Sequence, residues 1–326
     1  MKITYADGIR LGFEYLLTKH KEVFAIGQGV WSPWYVGSSM RDLDKDFGHE
    51  RVIDTPVSEN AVTGLCVGAA LNGMRPICIH PRMDFAILCF DQLVNEAAKW
   101  RHMFGGQVKV PMVARLIINR GGEQGAQHSQ ALQSWLAHIP GLRVVMPYSP
   151  NDARDLLISA TLCDDPVVYI DDRWLYELEE DEKPIHIYNL SRECPICINH
   201  GEEITLVGSG YTSLLCKKAC EKLKNDISCD IFDLRILNPM NLSCIVESVR
   251  KTGRLLVVDG GWSSCGIAAE VITKVIENLS DISVLKYPPQ RITVKDAPAP
   301  TSRYLEQIYY PNVEDVCLKI LNMVKK

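Results

Sequence analysis

Features of membrane, secreted and nucleic-acid-binding proteins are missing from this chain of 326 residues. No apolar run approaches the roughly 20 residues that a membrane helix requires. Met1 to Thr4 lead directly into a helical pattern, without the features of a signal peptide. The formal net charge of −5 offers no basic field to nucleic acid. The sequence therefore predicts a cytoplasmic protein whose partners include neither a membrane nor nucleic acid.

Cysteine is plentiful, but its distribution does not resemble a disulfide framework. The 12 cysteines are scattered along the chain, and many lie in apolar runs such as LCVGAAL and LLCKKAC. Buried, scattered thiols are typical of reduced proteins of the cytosol. We therefore expect free cysteines.

Helices and strands are expected to alternate through two domains. The apolar spacing predicts a helix from about Tyr5 to Lys19 and buried strands at Val23 to Ile26 and Val110 to Ile118. This βαβ alternation indicates an α/β fold with a doubly wound parallel sheet. An acidic run, ELEEDEKP, suggests a boundary, and a second alternating region begins at Ile204. The predicted division is a first domain at 1–176, a linker at 177–190 and a second domain at 191–326.

One acidic residue lies in an apolar, small-residue setting, in the stretch DTPVSENAVTGLCVGAALNG. Glu59 follows a predicted strand and opens a helix in which Val62, Leu65 and Cys66 recur at helical spacing. In open α/β sheets, ligands bind at the carboxyl ends of the strands. Glu59 is therefore a candidate site residue, or alternatively a first-turn acid that complements the helix dipole.

Two further polar positions follow predicted strands. His128 lies in the glycine-rich loop NRGGEQGAQHSQ, after the strand that ends at Ile118, and is either a site residue or a structural histidine. Arg82, in the segment HPRMDF, could hold a substrate carboxylate through two hydrogen bonds, or could form a surface ion pair.

Ordered blocks along nearly the whole chain resemble a known family. They include DTPVSENAVTGLCVGAALNGMRPIC, DQLVNEAAKW, GAQHSQ, HIPGLRVVMPYSPNDA, DLRILNPM and KTGRLLVVDGGWSSCG. These blocks are similar to the beta subunit of the thiamine-diphosphate-dependent 2-oxo acid dehydrogenases, of the pyruvate and branched-chain type. The resemblance implies a transketolase-like pyrimidine-binding domain followed by a transketolase-type C-terminal domain.

The resemblance also implies roles for individual residues. Glu59 would contact the ring nitrogen of the cofactor's aminopyrimidine, Phe85 would stack on that ring, and His128 would line the active-site channel. A phenylalanine of the protein core is the alternative for Phe85. A monovalent cation such as K⁺ would bind main-chain carbonyls in the loop that contains Ala160, Cys163 and Asp165. Gln28 would lie on the substrate side, although this chain has Gly-Gln-Gly where the family has an acidic Gly-Glu-Asp run.

One motif of thiamine enzymes is missing, and this absence predicts a partner. A Gly-Asp-Gly sequence, which marks the site for Mg²⁺ and diphosphate, does not occur in the chain. The resemblance therefore implies a heterotetramer in which this chain self-associates and holds the pyrimidine half of thiamine diphosphate. A Gly-Asp-Gly-bearing alpha subunit would hold the magnesium and the diphosphate.

The sequence as a whole favours a 2-oxo acid dehydrogenase beta subunit. It would take part in oxidative decarboxylation of a small 2-oxo acid and in acyl transfer to the lipoyl group of an acyltransferase. Two alternatives are half of a split transketolase-like synthase that forms a carbon–carbon bond, and a catalytically silent assembly or regulatory subunit. The sequence His80-Pro81-Arg82 keeps the synthase open, and joint retention of Glu59, Phe85 and His128 argues against a silent subunit.

Overall fold

A computed structural model describes residues 1–325, which form two compact units. The first unit comprises residues 1–120 and 128–191, and the second comprises residues 121–127 and the chain from residue 192 onwards. Within the described residues, no helix has both the length and the apolar composition that a membrane crossing requires.

The first unit begins with a helix whose predicted bounds are confirmed. A capping box between Thr4 and Asp7 fixes the start of this helix, Tyr5–Lys19, through local hydrogen bonds. The strands of the unit are β1 (Lys2–Thr4), β2 (Val23–Gln28), β3 (Val52–Thr55), β4 (Arg75–His80), β5 (Val113–Ile118), β6 (Arg143–Val145), β7 (Val167–Asp172) and β8 (Glu179–Asp181). The α-helices are α1 (Tyr5–Lys19), α2 (Pro33–Val36), α3 (Leu43–Phe47), α4 (Glu59–Leu71), α5 (Ala98–Met103), α6 (Gln133–Ala137) and α7 (Pro150–Leu162).

Four short helices of other types complete the unit. Three are 3-10 helices, at Gly37–Met40, Met83–Cys89 and Arg173–Leu175, and Asp91–Ala97 forms a π-helix. The buried residues of the π-helix are Leu93 and Ala97.

A parallel sheet forms the centre of the first unit, with its strands in the order β6-β7-β5-β4-β2-β3. Strand β2 lies between β3 and β4, so successive connections from β2 and β3 run to opposite sides. Such a reversal opens a crevice at the carboxyl ends of the strands, where ligands bind in this class of sheet. The predicted α/β fold class is confirmed.

Glycines allow a close approach at the carboxyl end of β2. A Cβ atom on Gly27 would lie 2.3 Å from the carbonyl oxygen of Ile79 on the neighbouring strand. Gly29 has a φ of +65°, and a Cβ atom there would lie 2.6 Å from the ring of Tyr35. The positions on both sides of Gln28 therefore require glycine.

A buried ion pair connects β5 and β7. The guanidinium of Arg115 donates to both carboxylate oxygens of Asp171, at 3.0 and 2.8 Å, and both side chains are 0% exposed. The hydroxyl groups of Ser39 and Tyr176 complete the network. Burial disfavours the charge of Arg115, but the carboxylate of Asp171 outweighs this and raises the pKa of Arg115. Because each charge depends on the other, removing one partner alone is costly.

The acidic segment that the sequence marked as a linker lies within the first unit. Strand β8 pairs antiparallel with β1, and Leu190 is buried. Strands β1 and β8 lie near opposite ends of the unit's sequence, so local composition gives no indication that they pair. Conversely, residues 121–127, expected in the first domain, group with the second unit.

The second unit repeats the α/β architecture around a sheet in the order β14-β13-β10-β11-β9. Its strands are β9 (Ile196–Asn199), β10 (Ile204–Gly208), β11 (Cys229–Asp233), β12 (Ile236–Asn238), β13 (Leu255–Val258) and β14 (Gln290–Ile292). Its helices are α8 (Tyr211–Leu223), α9 (Ser243–Thr252), α10 (Ile267–Asn278), α11 (Arg303–Tyr309), α12 (Val313–Val324) and a 3-10 helix at Ile282–Val284. Strand β9 is an antiparallel edge strand, and the central strands are parallel. Helices α8 and α12 contribute apolar side chains to its core.

Candidate active site

Four adjacent strands bring the predicted site residues to one edge of the first unit's sheet. In the order β5-β4-β2-β3, His128 follows β5, Phe85 follows β4, Gln28 ends β2 and Glu59 follows β3. Because all four strands are parallel, these positions share the carboxyl edge. The predicted location at a strand-end crevice is therefore consistent with the topology.

Glu59 is the first residue of α4 and is half-buried. The hydroxyl of Thr63 donates a hydrogen bond of 2.7 Å to the main-chain oxygen of Glu59. Thr63 is fully buried and faces the sheet. The first turn of α4 is thus fixed to the body of the unit through Thr63, and the carboxyl group of Glu59 is only partly covered by this chain.

Behind α4, His80 lies in a buried cluster of hydroxyl and thiol groups. Its Nε2 atom is 3.2 Å from Thr63 Oγ1, 3.4 Å from Cys78 Sγ and 3.8 Å from Cys89 Sγ. Burial by itself lowers the pKa of His80, but the neighbouring thiolate form of Cys78 outweighs it and raises that pKa. His80 is 3% exposed. It therefore supports the helix from within the unit, through Thr63.

Phe85 and His128 are brought into direct contact. Their ring centroids are 5.2 Å apart and the rings meet edge to face, at 82°. Both side chains are half-buried. Edge-to-face packing fixes the relative orientation of two rings, and it leaves part of each available to a ligand.

Asp84, which sequence reasoning missed, anchors the loop that follows His128. Its Oδ1 atom accepts hydrogen bonds of 3.0 Å from the main-chain and side-chain nitrogens of Gln130. Its Oδ2 atom is buried and has no hydrogen-bond partner among residues 1–325. Burial raises the pKa of Asp84, and the hydrogen bonds from Gln130 oppose that shift. An acidic residue between two apolar neighbours, in the run MDFAIL, was the signal in the sequence.

The two residues expected on the substrate side occupy different settings. Gln28 is half-buried and pairs in register with Thr55 at the end of the sheet. Arg82 is also half-buried, and its guanidinium donates to the carbonyl oxygen of Pro81 at 3.1 Å. Burial and the like charge of Arg173 lower the pKa of Arg82. Arg82 is therefore partly covered by its own unit, and both of its roles, binding of a substrate carboxylate and a surface ion pair, stay predictions.

Arginine side chains contact the loop at residues 160–165, where a monovalent cation was expected. The guanidinium of Arg75 donates to the carbonyl oxygens of Thr161 and Cys163, at 3.0 and 2.8 Å. The Ala160 carbonyl oxygen accepts a hydrogen bond from the main-chain nitrogen of Cys163. Asp165 pairs with Arg143 at 2.6 Å and also with Arg101. Arg75 thus already donates to the Cys163 carbonyl oxygen, and the monovalent cation stays a prediction of the resemblance.

Comparisons with known families match the chain over both units. The family model of the transketolase pyrimidine-binding domain matches residues 1–177, and that of the transketolase C-terminal domain matches residues 196–316. Together these matches cover most of the chain.

Full-length relatives are similar over the whole sequence. The pyruvate dehydrogenase E1 component subunit beta of Rickettsia bellii is 35% identical over 331 residues, which cover 100% of this chain and 98% of that protein. The mitochondrial E1 subunit beta of Bos taurus is 34% identical, with 98% of this chain and 90% of that protein covered. The human mitochondrial protein is 33% identical with the same coverage.

A solved structure shares the fold. It is described as a split gene transketolase, inactive beta4 tetramer, and it matches with a TM-score of 0.79 over 99% of this chain and 98% of that chain. At 18% sequence identity, this likeness concerns the fold alone.

Proposed function

Because this chain belongs to the family of transketolase-like E1 beta subunits, we propose that it is the beta subunit of a 2-oxo acid dehydrogenase. In this proposal it takes part in thiamine-diphosphate-dependent decarboxylation of a 2-oxo acid and in acyl transfer to lipoamide. The observation that carries the proposal is the 33–36% identity to pyruvate dehydrogenase subunits along the entire chain. Glu59, the first residue of α4, would supply the carboxyl group that this chemistry needs.

The residues at the sheet edge fit the aminopyrimidine half of the cofactor. Glu59 offers a half-buried carboxyl group at the start of a fixed helix turn, and Phe85 offers a half-buried flat ring. Thiamine diphosphate, when bound, supplies the reactive carbon for decarboxylation. Glu59 would exchange a proton with the ring nitrogen of the pyrimidine, which a shorter aspartate would not reach. Phe85 would stack on the pyrimidine and hold its plane.

His128 would act on the substrate side of the same pocket. Its ring is oriented by the edge-to-face contact with Phe85, and the loop that follows it is held by the hydrogen bonds of Gln130 to Asp84. A histidine at such a place can donate a hydrogen bond or a proton near neutral pH. We assign His128 to binding of the substrate carboxylate or to transfer of the acyl group.

A partner chain is part of the proposal. The sequence has no Gly-Asp-Gly motif, so a partner alpha subunit would hold Mg²⁺ and the diphosphate. Apolar side chains of the first unit support this, since Val57 is 65% exposed and Leu65 on α4 is 55% exposed. Leu88, in the 3-10 helix that packs on α4, is 59% exposed. We propose a cytoplasmic heterotetramer that contains two copies of this chain and works with a lipoyl acyltransferase.

The geometry around His80 favours the dehydrogenase over a split synthase. His80 was one of the residues that kept the synthase open, but it is enclosed by Thr63, Cys78 and Cys89. It is therefore not available to a sugar or keto substrate. The relatives of 33–36% identity are dehydrogenase subunits, and this also favours the first proposal.

The test is reconstitution with a Gly-Asp-Gly-bearing alpha subunit. The assembled complex should decarboxylate a 2-oxo acid with an artificial electron acceptor, and it should acylate a lipoyl domain. This chain alone should do neither, and it should bind thiamine diphosphate and magnesium weakly in a calorimetric titration. Formation of a carbon–carbon bond in place of acyl-lipoamide would favour the synthase. Tight cofactor binding by this chain alone would contradict the divided site.

A further inference from the structure

The second unit contains a cluster of three side chains that are suited to a metal ion. Cys197 Sγ lies 3.4 Å from His200 Nδ1 and 3.7 Å from Asp230 Oδ1. His200 Nδ1 lies 3.8 Å from the same oxygen of Asp230. Three different ligand types, a thiol, an imidazole and a carboxylate, thus place their donor atoms within 4.8 Å of one another.

A β-bulge creates this arrangement. Strand β9 pairs antiparallel with β11, but the register shifts between Ile231, which faces Asn199, and Phe232, which faces Cys197. In a regular strand, residues three positions apart point to opposite faces of the sheet. The extra residue in β9 allows Cys197 and His200 to approach Asp230 together. Bulges of this kind commonly re-aim a side chain at a functional place.

The separations match a tetrahedral zinc site. Zinc binds cysteine sulfur at about 2.3 Å, histidine nitrogen at about 2.0–2.1 Å and carboxylate oxygen at about 2.0–2.2 Å. At tetrahedral angles these lengths place neighbouring ligand atoms about 3.3–3.7 Å apart. The observed 3.4, 3.7 and 3.8 Å require only small movements of the side chains. The side chain of His200 is 90% exposed and is free to make them.

The carboxylate is already oriented by a second layer of contacts. Its other oxygen, Asp230 Oδ2, accepts a hydrogen bond of 2.6 Å from Ser248 and lies 3.0 Å from the ammonium group of Lys251. Lys251 is shared with Glu202 at 3.5 Å. Oδ1 therefore faces the cluster. A metal-bound carboxylate is usually held by such outer contacts.

We propose that Cys197, His200 and Asp230 bind a Zn²⁺ ion, with water at the fourth position on the exposed side. The ion would connect edge strand β9 to β11 at the beginning of the second unit. This site is independent of the proposed catalytic function, because none of its residues belongs to the sheet edge of the first unit.

Cys194 provides the matched control. It forms a Cys-x-x-Cys pair with Cys197 in the sequence, a spacing typical of metal sites. In the fold, however, Cys194 Sγ accepts a hydrogen bond of 3.1 Å from Asn241 and lies 4.0 Å from Ser243 Oγ. Of the two cysteines, only Cys197, which lies in the bulged strand β9, therefore belongs to the proposed site.

The experiment is a Co²⁺ titration of the reduced, metal-free full-length chain, followed by competition with Zn²⁺. We expect one equivalent of Co²⁺ to produce the visible bands of a tetrahedral ion and a thiolate-to-cobalt charge-transfer band, both removed by Zn²⁺. His200→Ala and Cys197→Ala should weaken binding by at least about 100-fold, since the loss of an outer contact already costs about 10–100-fold. Cys194→Ser and Cys265→Ser should bind within about twofold of wild type, since neither residue is a proposed ligand.

Three results would overturn the assignment. The first is the absence of a charge-transfer band in the wild-type chain, and the second is an equal loss in Cys194→Ser. The third is unchanged affinity in His200→Ala, which removes an exposed side chain and should leave the fold intact. Amide hydrogen exchange with and without Zn²⁺ gives an independent readout. An ion that connects β9 to β11 should slow the exchange of the main-chain amides of β9.

Discussion

The two units have the same α/β architecture, but they differ in how completely the acidic residues that follow their strands are hydrogen-bonded. In the second unit, Asp259 comes after β13, and its two carboxylate oxygens accept hydrogen bonds from the main-chain nitrogens of Gly261 and Ala268, at 2.9 and 3.1 Å. In the first unit, Asp84 follows β4 and keeps an unpaired buried oxygen within the described chain. Phe85 and His128 beside it are only half-buried.

This difference indicates where chemistry can occur. Carboxylates that are saturated by main-chain nitrogens stabilise loops and are unavailable to a ligand. Polar groups that are incompletely satisfied at a sheet edge cost stability, and such costs are typical of functional sites. The first unit therefore carries the proposed chemistry, while the strand-end acid Asp259 of the second unit maintains its fold.

The largest effect is expected from Glu59→Gln. The amide retains the shape of the side chain but cannot exchange a proton, so turnover of the assembled complex should fall by about 10⁴-fold, the upper end for a single acid or base. Decarboxylation with an artificial acceptor measures this, with Glu50→Gln as an exposed control in the same unit. Activity within a few-fold of wild type would remove Glu59 from the mechanism.

His128→Ala should have the next largest effect and should act on a different step. Loss of a positioned proton donor should lower lipoyl acylation or substrate turnover by about 10²–10³-fold. Hydrogen exchange at the thiazolium carbon, which depends on Glu59, should stay near normal. His102→Ala, an exposed histidine of the same unit, is the control. If exchange and turnover fall together, His128 belongs to cofactor activation or to folding.

Asp259→Ala tests whether the strand-end acid of the second unit contributes to stability and not to catalysis. It leaves two buried main-chain nitrogens without an acceptor, and hydrogen bonds to a charged group contribute about 1.5–3 kcal/mol each. The free energy of unfolding should therefore decrease by about 3–6 kcal/mol in denaturant titration, while turnover per folded complex is unchanged. The exposed Asp226→Ala should stay within about 0.5 kcal/mol of wild type. A selective loss of turnover in Asp259→Ala would show that the second unit takes part in the chemistry.

Asp84→Asn should give the smallest effect, and its sign depends on pH. Burial raises the pKa of Asp84 in the folded state, so the folded protein binds a proton more readily than the unfolded chain, whose aspartates titrate near about 3.9. Wild-type stability therefore falls as the pH rises from that value through the raised folded-state pKa. Asparagine removes this dependence and should stabilise the protein by about 0.5 kcal/mol at neutral pH.

The measurement is denaturant unfolding of both proteins at several pH values. The advantage of the Asp84→Asn variant should shrink as the pH is lowered through the raised pKa. An advantage that is constant over the whole pH range would assign the effect to packing and not to the charge of Asp84.

Local chemistry determined much of the fold from the sequence alone. Helix α1 was predicted from its apolar spacing at its observed bounds, Tyr5–Lys19, and this spacing is a local property of the sequence. The α/β class followed from apolar periodicity, which is also local. The position of Glu59 at the start of a helix after a strand was predictable for the same reason.

Burial on α4 was harder to predict, because the helix is apolar on more than one face. Leu65 was expected inward at helical spacing but is 55% exposed, whereas Thr63 is fully buried against His80. A helix that meets its own sheet on one side and exposes apolar residues on the other has no single apolar stripe. The spacing of apolar residues therefore could not predict which face of α4 packs against the sheet of the first unit.

Only the tertiary structure decided which distant residues meet. The contact between Phe85 and His128 requires β4 and β5 to be neighbours, and the pairing of β8 with β1 joins the two ends of the first unit. The convergence of Cys197 with Asp230 depends on a one-residue register shift. Strand order depends on the packing of the whole sheet, and a shift of one residue in register moves each side chain to the other face of the sheet; neither was predicted from the sequence.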